Sequence, residues 1–109
     1  MLDYNVYIRE ILESINKIEK TTERKNDSEI VEDINLWDAT LMRLQIIGEN
    51  IKKIPFELKK KNKDIKWRRW AKLRNLISHK YSEVEENTIL DLIKNKLPEF
   101  KKQIITLKE

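Results

Sequence analysis

The amino-acid sequence predicts an all-α protein, a single domain over residues 1–109 folded as an antiparallel, up-and-down bundle of four helices. Three observations lead there. Apolar residues recur at three- and four-residue steps in every long segment. One glycine and two prolines are too few for a turn-rich β protein or a disordered chain. Hydrophobic and charged residues each make up 39% of the composition, the balance of helices with one apolar and one solvated face. A chain of 109 residues fits one domain and leaves much of its surface in water, so a second copy would help to cover apolar area.

The first helix runs from about Leu2 to Lys20, with Ile8, Ile11, Leu12, Ile15 and Ile18 on one stripe. Thr21 to Ser28 is polar and unpatterned and reads as a loop, with Asp27 or Ser28 as the cap of the next helix. That helix carries Ile30, Ile34, Trp37, Leu41, Leu44 and Ile51 and ends near Ile54, because Pro55 follows. Gly48 falls inside it. Glycine costs about 1 kcal/mol in a helix interior, so a close contact with another backbone is expected there.

Residues 56–66 form a lysine-rich connector with a short helical turn at Phe56 to Leu58. A third helix carries Trp67, Trp70, Leu73 and Ile77, and Ser82 with Glu85 has the spacing of a capping box for the fourth. The fourth bears Ile89, Leu92, Ile93, Leu97, Phe100, Ile104 and Leu107, and Pro98 predicts that it is broken or kinked. Trp37, Leu41, Leu73, Leu92 and Ile104 are the expected core.

Several function classes fall away. Cysteine is absent, so there is no disulfide framework and no thiolate zinc site. A single histidine without clustered carboxylates makes a metal site unexpected, and no cofactor is expected, since no glycine-rich phosphate loop occurs. There is also no nucleophile elbow. Met1-Leu2-Asp3-Tyr4 does not open a signal peptide, and no apolar run approaches the roughly 20 residues of a membrane span. The expected location is the cytoplasm.

The net charge of +4 hides an asymmetry. Residues 52–80 hold twelve Lys and Arg against Glu57 and Asp64, a balance of +10, while the rest of the chain stands at −6. Such a block is either the footprint of a polyanion or a solvated lysine-rich surface.

His79 is the only histidine, so histidine chemistry near neutral pH must fall there. Arg74 lies five residues earlier, about 140° around a helix, so the two side chains do not share a face. Asn75 and His79, four apart, do. Either the long Arg74 side chain reaches over beside Asn75, or the helix frays at Ser78 and swings His79 and Tyr81 towards it.

Arg74-Asn75, three residues, then His79-Lys80-Tyr81 resembles the R-x4-H-x-Y motif of HepT-like proteins, the toxin branch of the HEPN superfamily. The resemblance covers nearly the whole chain. Ile47-Gly48-Glu49 is similar to the family's helix-two signature, Trp67 stands where a tryptophan is usual, and Leu97-Pro98-Glu99 matches the C-terminal Leu-Pro step. Lys66 replaces a common proline and Leu90 a frequent aromatic, both outside the motif.

The resemblance implies a HEPN-type bundle that dimerises and acts as a metal-independent ribonuclease, with two motifs in one basic cleft. It also implies a partner, the MntA nucleotidyltransferase antitoxin, which silences the toxin by AMPylation of the motif tyrosine. On this chain Arg74 and His79 would be catalytic, Asn75 supporting and Tyr81 modified. The chemistry is coherent. A 2′-OH attacking its own phosphate needs a proton acceptor, a proton donor and stabilisation of the phosphorane. Histidine titrates near the working pH and arginine offers a planar donor fork. One histidine per chain means that a histidine acid and a histidine base come from two chains. Arg68, Arg69, Lys72 and Lys80 would hold the RNA backbone. Two other readings stay open. One is a catalytically inactive HEPN bundle that binds nucleotide or nucleic acid, or serves only as a nucleotidyltransferase partner. The other is a plain structural bundle.

Overall fold

The apolar stripes do become helices, but side-chain caps at Asn26, Asp33 and Glu85 set where three of them start. The computed structural model describes residues 3–107. Helix α1 spans Asn5–Thr22 and buries Ile11, Ile15 and Ile18; its expected start at Leu2 lies outside the described residues. It runs past Lys20 because the hydroxyls of Thr21 and Thr22 bond back to the carbonyls of Lys17 and Ile18 at 2.8 and 2.7 Å.

The single second helix expected from the periodicity is two. Asn26 and Glu29 form a capping box that starts α2, Asp27–Glu32, ahead of the expected caps at Asp27 or Ser28. Asp33 then leaves helical geometry and its carboxylate accepts the N–H of Leu36 at 3.1 Å, capping α3, Ile34–Lys53. Ile34 is consequently exposed, although its spacing put it on the apolar stripe. Pro55 stops α3 with Ile54 extended, as expected.

Helix α4, Phe56–Lys61, is longer than the predicted turn because Leu58 is buried and anchors it. Helix α5 spans Trp67–Lys80, and a 3-10 turn covers Tyr81–Glu83. Ser82 sits in that turn and is not a cap. Glu85 takes the role by accepting the N–H of Asn87 at 3.1 Å, and α6, Glu86–Asp91, follows. A π turn over Leu92–Lys96 leads into α7, Leu97–Ile105, with Pro98 in its first turn. The N–H of Leu97 reaches back to Leu92, one residue beyond the α-helical partner. No strand occurs among the described residues, and no helix there is long and apolar enough to cross a membrane.

Helix α3 packs between α1 and α5, and α7 lies on α1. Leu41, Leu73, Leu92 and Ile104 are buried as expected, whereas Trp37 is half-buried at the edge of the core. Trp70 stacks on Phe100 with ring centroids 4.6 Å apart, joining α5 to α7. Side chains of this size contribute roughly 1.5–3 kcal/mol each when fully buried.

Gly48 fixes the approach of α3 to α5. A Cβ there would stand 2.8 Å from the carbonyl oxygen of Trp70 and 2.9 Å from the amide nitrogen of Arg74. Both are backbone atoms and cannot rotate away. The backbone contact expected from a glycine inside a helix is thus found, and it lies at Arg74.

Candidate active site

Since α5 rests on Gly48 at Arg74, that side chain leaves the interface beside the next residue of α3. Arg74 is half-buried, and its Nε donates to Oε2 of Glu49 at 2.8 Å. A surface pair of this kind contributes about 0.2–1 kcal/mol, so its main effect is to orient the guanidinium. Nη1 of Arg74 donates to Oδ1 of Asn75 at 3.0 Å, and Nζ of Lys52 donates to the same oxygen at 3.4 Å. Arginine carries five N–H donors. These bonds use two, leaving three without a partner among the described residues.

Two further links follow along the same edge. Nε2 of Gln45 donates to Oγ of Ser78 at 2.8 Å, and the Tyr81 hydroxyl donates to Oδ1 of Asp38. As the α3 residues descend from 49 to 45 to 38, their partners rise from 74 to 78 to 81. The two helices therefore run in opposite directions, with a polar seam between them. The hydrogen bond to Asp38 pushes the Tyr81 phenol above its ordinary value, with desolvation and the nearby carboxylate charge adding to the effect.

Away from the seam, Arg68, Lys72, Asn75 and His79 follow one another at steps of four, three and four residues. They form one stripe on the side of α5 opposite buried Trp70, Leu73 and Ile77. All four are exposed, and His79 makes no hydrogen bond to any described residue. Arg69 and Lys80, eleven residues apart and both exposed, lie on an adjacent stripe.

Of the two ways for Arg74 to meet the histidine face, the chain takes the first. The helix does not fray at Ser78 and leaves regular geometry only at Lys80 (φ −135°, ψ 36°), and Arg74 reaches Asn75, one turn before His79. Tyr81 lies apart from this group, tied across the seam to α3. Sequence reasoning did not single out Glu49, Lys52, Gln45 or Asp38 as site residues. Asp38, Gln45 and Glu49 sit seven and four residues apart, a polar stripe that could have marked the α3 side of the seam. Among the described residues no three His, Cys, Asp or Glu side chains gather as a metal site would require.

Comparison with known proteins adds an independent line. A family model described as "Ribonuclease HepT-like" matches residues 11–107. The chain is 34% identical over 107 residues to a Methanocaldococcus jannaschii protein named "Gamma-glutamylcyclotransferase and putative RNase". That match takes in 98% of this chain and 48% of the relative, so the chain spans about half the length of that protein. It is 30% identical over 95 residues to a Thermococcus cleftensis protein named "Probable ribonuclease HepT", covering 87% of this chain and 86% of the other. A second M. jannaschii protein, named "Putative RNase", is 26% identical over 102 residues, 94% of each chain. No solved structure matches the chain.

Proposed function

The chain belongs to the HepT-like ribonuclease family, and from that premise we propose that it is the toxic ribonuclease of a HepT/MntA-type pair, cutting RNA without a metal through Arg74 and His79. The observation that carries this reading is the division of α5. Its outer stripe presents His79 with Asn75, Lys72 and Arg68, while Arg74 stands clamped at the edge with three free N–H groups.

In the proposed reaction the 2′-OH of one nucleotide attacks the neighbouring phosphorus. His79 accepts the hydroxyl proton, and the guanidinium of Arg74 meets the charge that builds on the phosphorane oxygens. Glu49 and Asn75 hold that guanidinium in place, so little reorganisation remains when charge develops. Arg68, Arg69, Lys72 and Lys80 bind phosphates on either side. The leaving 5′-oxygen needs a proton donor. With Arg74 and His79 about 140° apart on one helix and one histidine per chain, a second copy supplies it across a homodimer whose α5 stripes face each other.

Tyr81 follows His79 by two positions and is about half exposed. Transfer of AMP to its phenol by the MntA-type nucleotidyltransferase would add bulk and negative charge beside the basic stripe and repel RNA. The reading is tested by incubating RNA with the wild-type chain, His79→Ala and Arg74→Ala in the presence of a chelator. Wild type cleaves and leaves a cyclic phosphate or a 3′-phosphate, while both variants lose cleavage. Full activity in His79→Ala, or loss of wild-type cleavage in chelator, overturns it.

A further inference from the structure

The Tyr81 phenol is anchored by a charged group on another helix, a contact with no part in RNA cleavage by Arg74 and His79. The hydroxyl donates to Oδ1 of Asp38, 43 residues away in sequence, across the seam between the 3-10 turn and α3. The two residues border an open groove of about 470 Å³, large enough to receive part of a nucleotide. Its other walls are Leu41, Met42, Gln45, Ile77 and Ser78, none of them charged at neutral pH. Asp38 is therefore the one titratable group, apart from the phenol itself, that lines this groove. Near Tyr81 in sequence, His79 and Lys80 at the end of α5 and Glu83 in the turn do not bond to it among the described residues.

A phenol at its ordinary value near 10 is ionised to about one part in a thousand at pH 7, and the bond to Asp38 pushes Tyr81 higher still. Nucleotidyl transfer to this oxygen therefore requires the proton to leave as the new bond forms. We propose that Asp38 is the acceptor of that proton, so that the chain supplies the base for its own modification at Tyr81. This inference rests on the reading that Tyr81 is the modified residue. In the step, the phenol oxygen attacks the α-phosphorus of a nucleoside triphosphate delivered by the partner. The new O–P bond forms as the bond to the bridging oxygen breaks, and pyrophosphate departs with that electron pair. The phenol proton moves to the Asp38 carboxylate, which is exposed and passes it to solvent. Nothing is oxidised or reduced.

The test has two arms, each run on wild type, Asp38→Asn and Asp38→Glu, with folding checked by thermal melting. In the first, an MntA-type nucleotidyltransferase and ATP with magnesium are added, and the AMP adduct on Tyr81 is timed by intact mass. Asp38→Asn should slow transfer about 100-fold at pH 7, and Asp38→Glu should restore part of the rate. Across neutral pH the wild-type rate should be nearly flat. The Asn variant, which must wait for spontaneous ionisation, should gain about tenfold per pH unit. A structural role for Asp38 would not produce that change in pH profile. In the second arm N-acetylimidazole replaces enzyme and nucleotide, and acetylation of Tyr81 is followed by peptide mass; Asp38→Asn should again be slower by tenfold or more. If wild type gains no AMP, the modification reading itself falls and takes the inference with it. If wild type is modified and the Asn variant keeps its rate in either arm, only the role of Asp38 is overturned.

Discussion

Helix α5 has two flanks that differ in how much freedom they keep. On the flank facing α3, the C-terminal half is tied: Arg74 to Glu49, Ser78 to Gln45, and just past the helix end Tyr81 to Asp38, with Gly48 setting the close approach at Trp70 and Arg74. On the outer flank Arg68, Lys72 and His79 are exposed and bond to no described residue. One helix thus divides its residues between those that hold geometry and those left open to solvent. Arg74 is where the two tasks touch, since its Nε belongs to the seam and its free N–H groups are available to the outer face. Preorganisation of the charged group comes from one flank, and access for a polyanion from the other.

Substitutions on each flank put this division of labour to the test. The largest effect is expected from His79→Ala and Arg74→Ala, each lowering RNA cleavage about 100-fold or more while the far-ultraviolet circular dichroism stays that of wild type. Cleavage surviving in either variant would mean that the outer flank is not where the reaction occurs. Gly48→Ala comes next. The added methyl improves helix propensity by about 1 kcal/mol but meets backbone atoms under 3 Å away. The net loss should be about 1–3 kcal/mol in denaturant unfolding, with α5 pushed off its seat; a stabilised variant would show that the seam has slack.

On the outer flank, Arg68→Ala with Lys72→Ala should leave stability within about 0.5 kcal/mol and weaken RNA binding most at low salt. For single-stranded RNA the slope of log affinity against log salt should fall by about 0.7 per phosphate contact removed. An unchanged slope would make this stripe a bystander. Glu49→Gln should cost folding less than about 1 kcal/mol, yet it should lower turnover by loosening Arg74. If stability drops sharply and turnover does not, the pair serves packing rather than orientation.

The outer flank was legible in the sequence because it is local. Arg68, Lys72, Asn75 and His79 lie within twelve residues of each other, and helical geometry alone groups them. The seam was legible only in part. A glycine inside an apolar pattern signalled a close backbone, but which backbone depends on how α3 and α5 dock, and spacing along one helix carries no such information. The Asp38–Tyr81 pair, 43 residues apart, was out of reach for the same reason. Helix existence followed from periodicity, whereas the break at Asp33 did not. There a side-chain carboxylate competes for a backbone N–H, and the Ile30-to-Ile34 spacing continues straight through it. Trp37 was misplaced into the core because an amphipathic stripe gives a side, not a depth.

The hydrogen atom that serves as the side chain of Gly48 also has a meaning for how this chain tolerates mutation. Each of the nineteen other residues brings a Cβ, and at this position the first carbon already collides with the peptide unit beneath Arg74. Lys72 on the outer flank can become arginine and keep its charge, but position 48 has no near relative to drift to. A position with no functional group of its own is thus constrained by the backbone of the neighbouring helix alone.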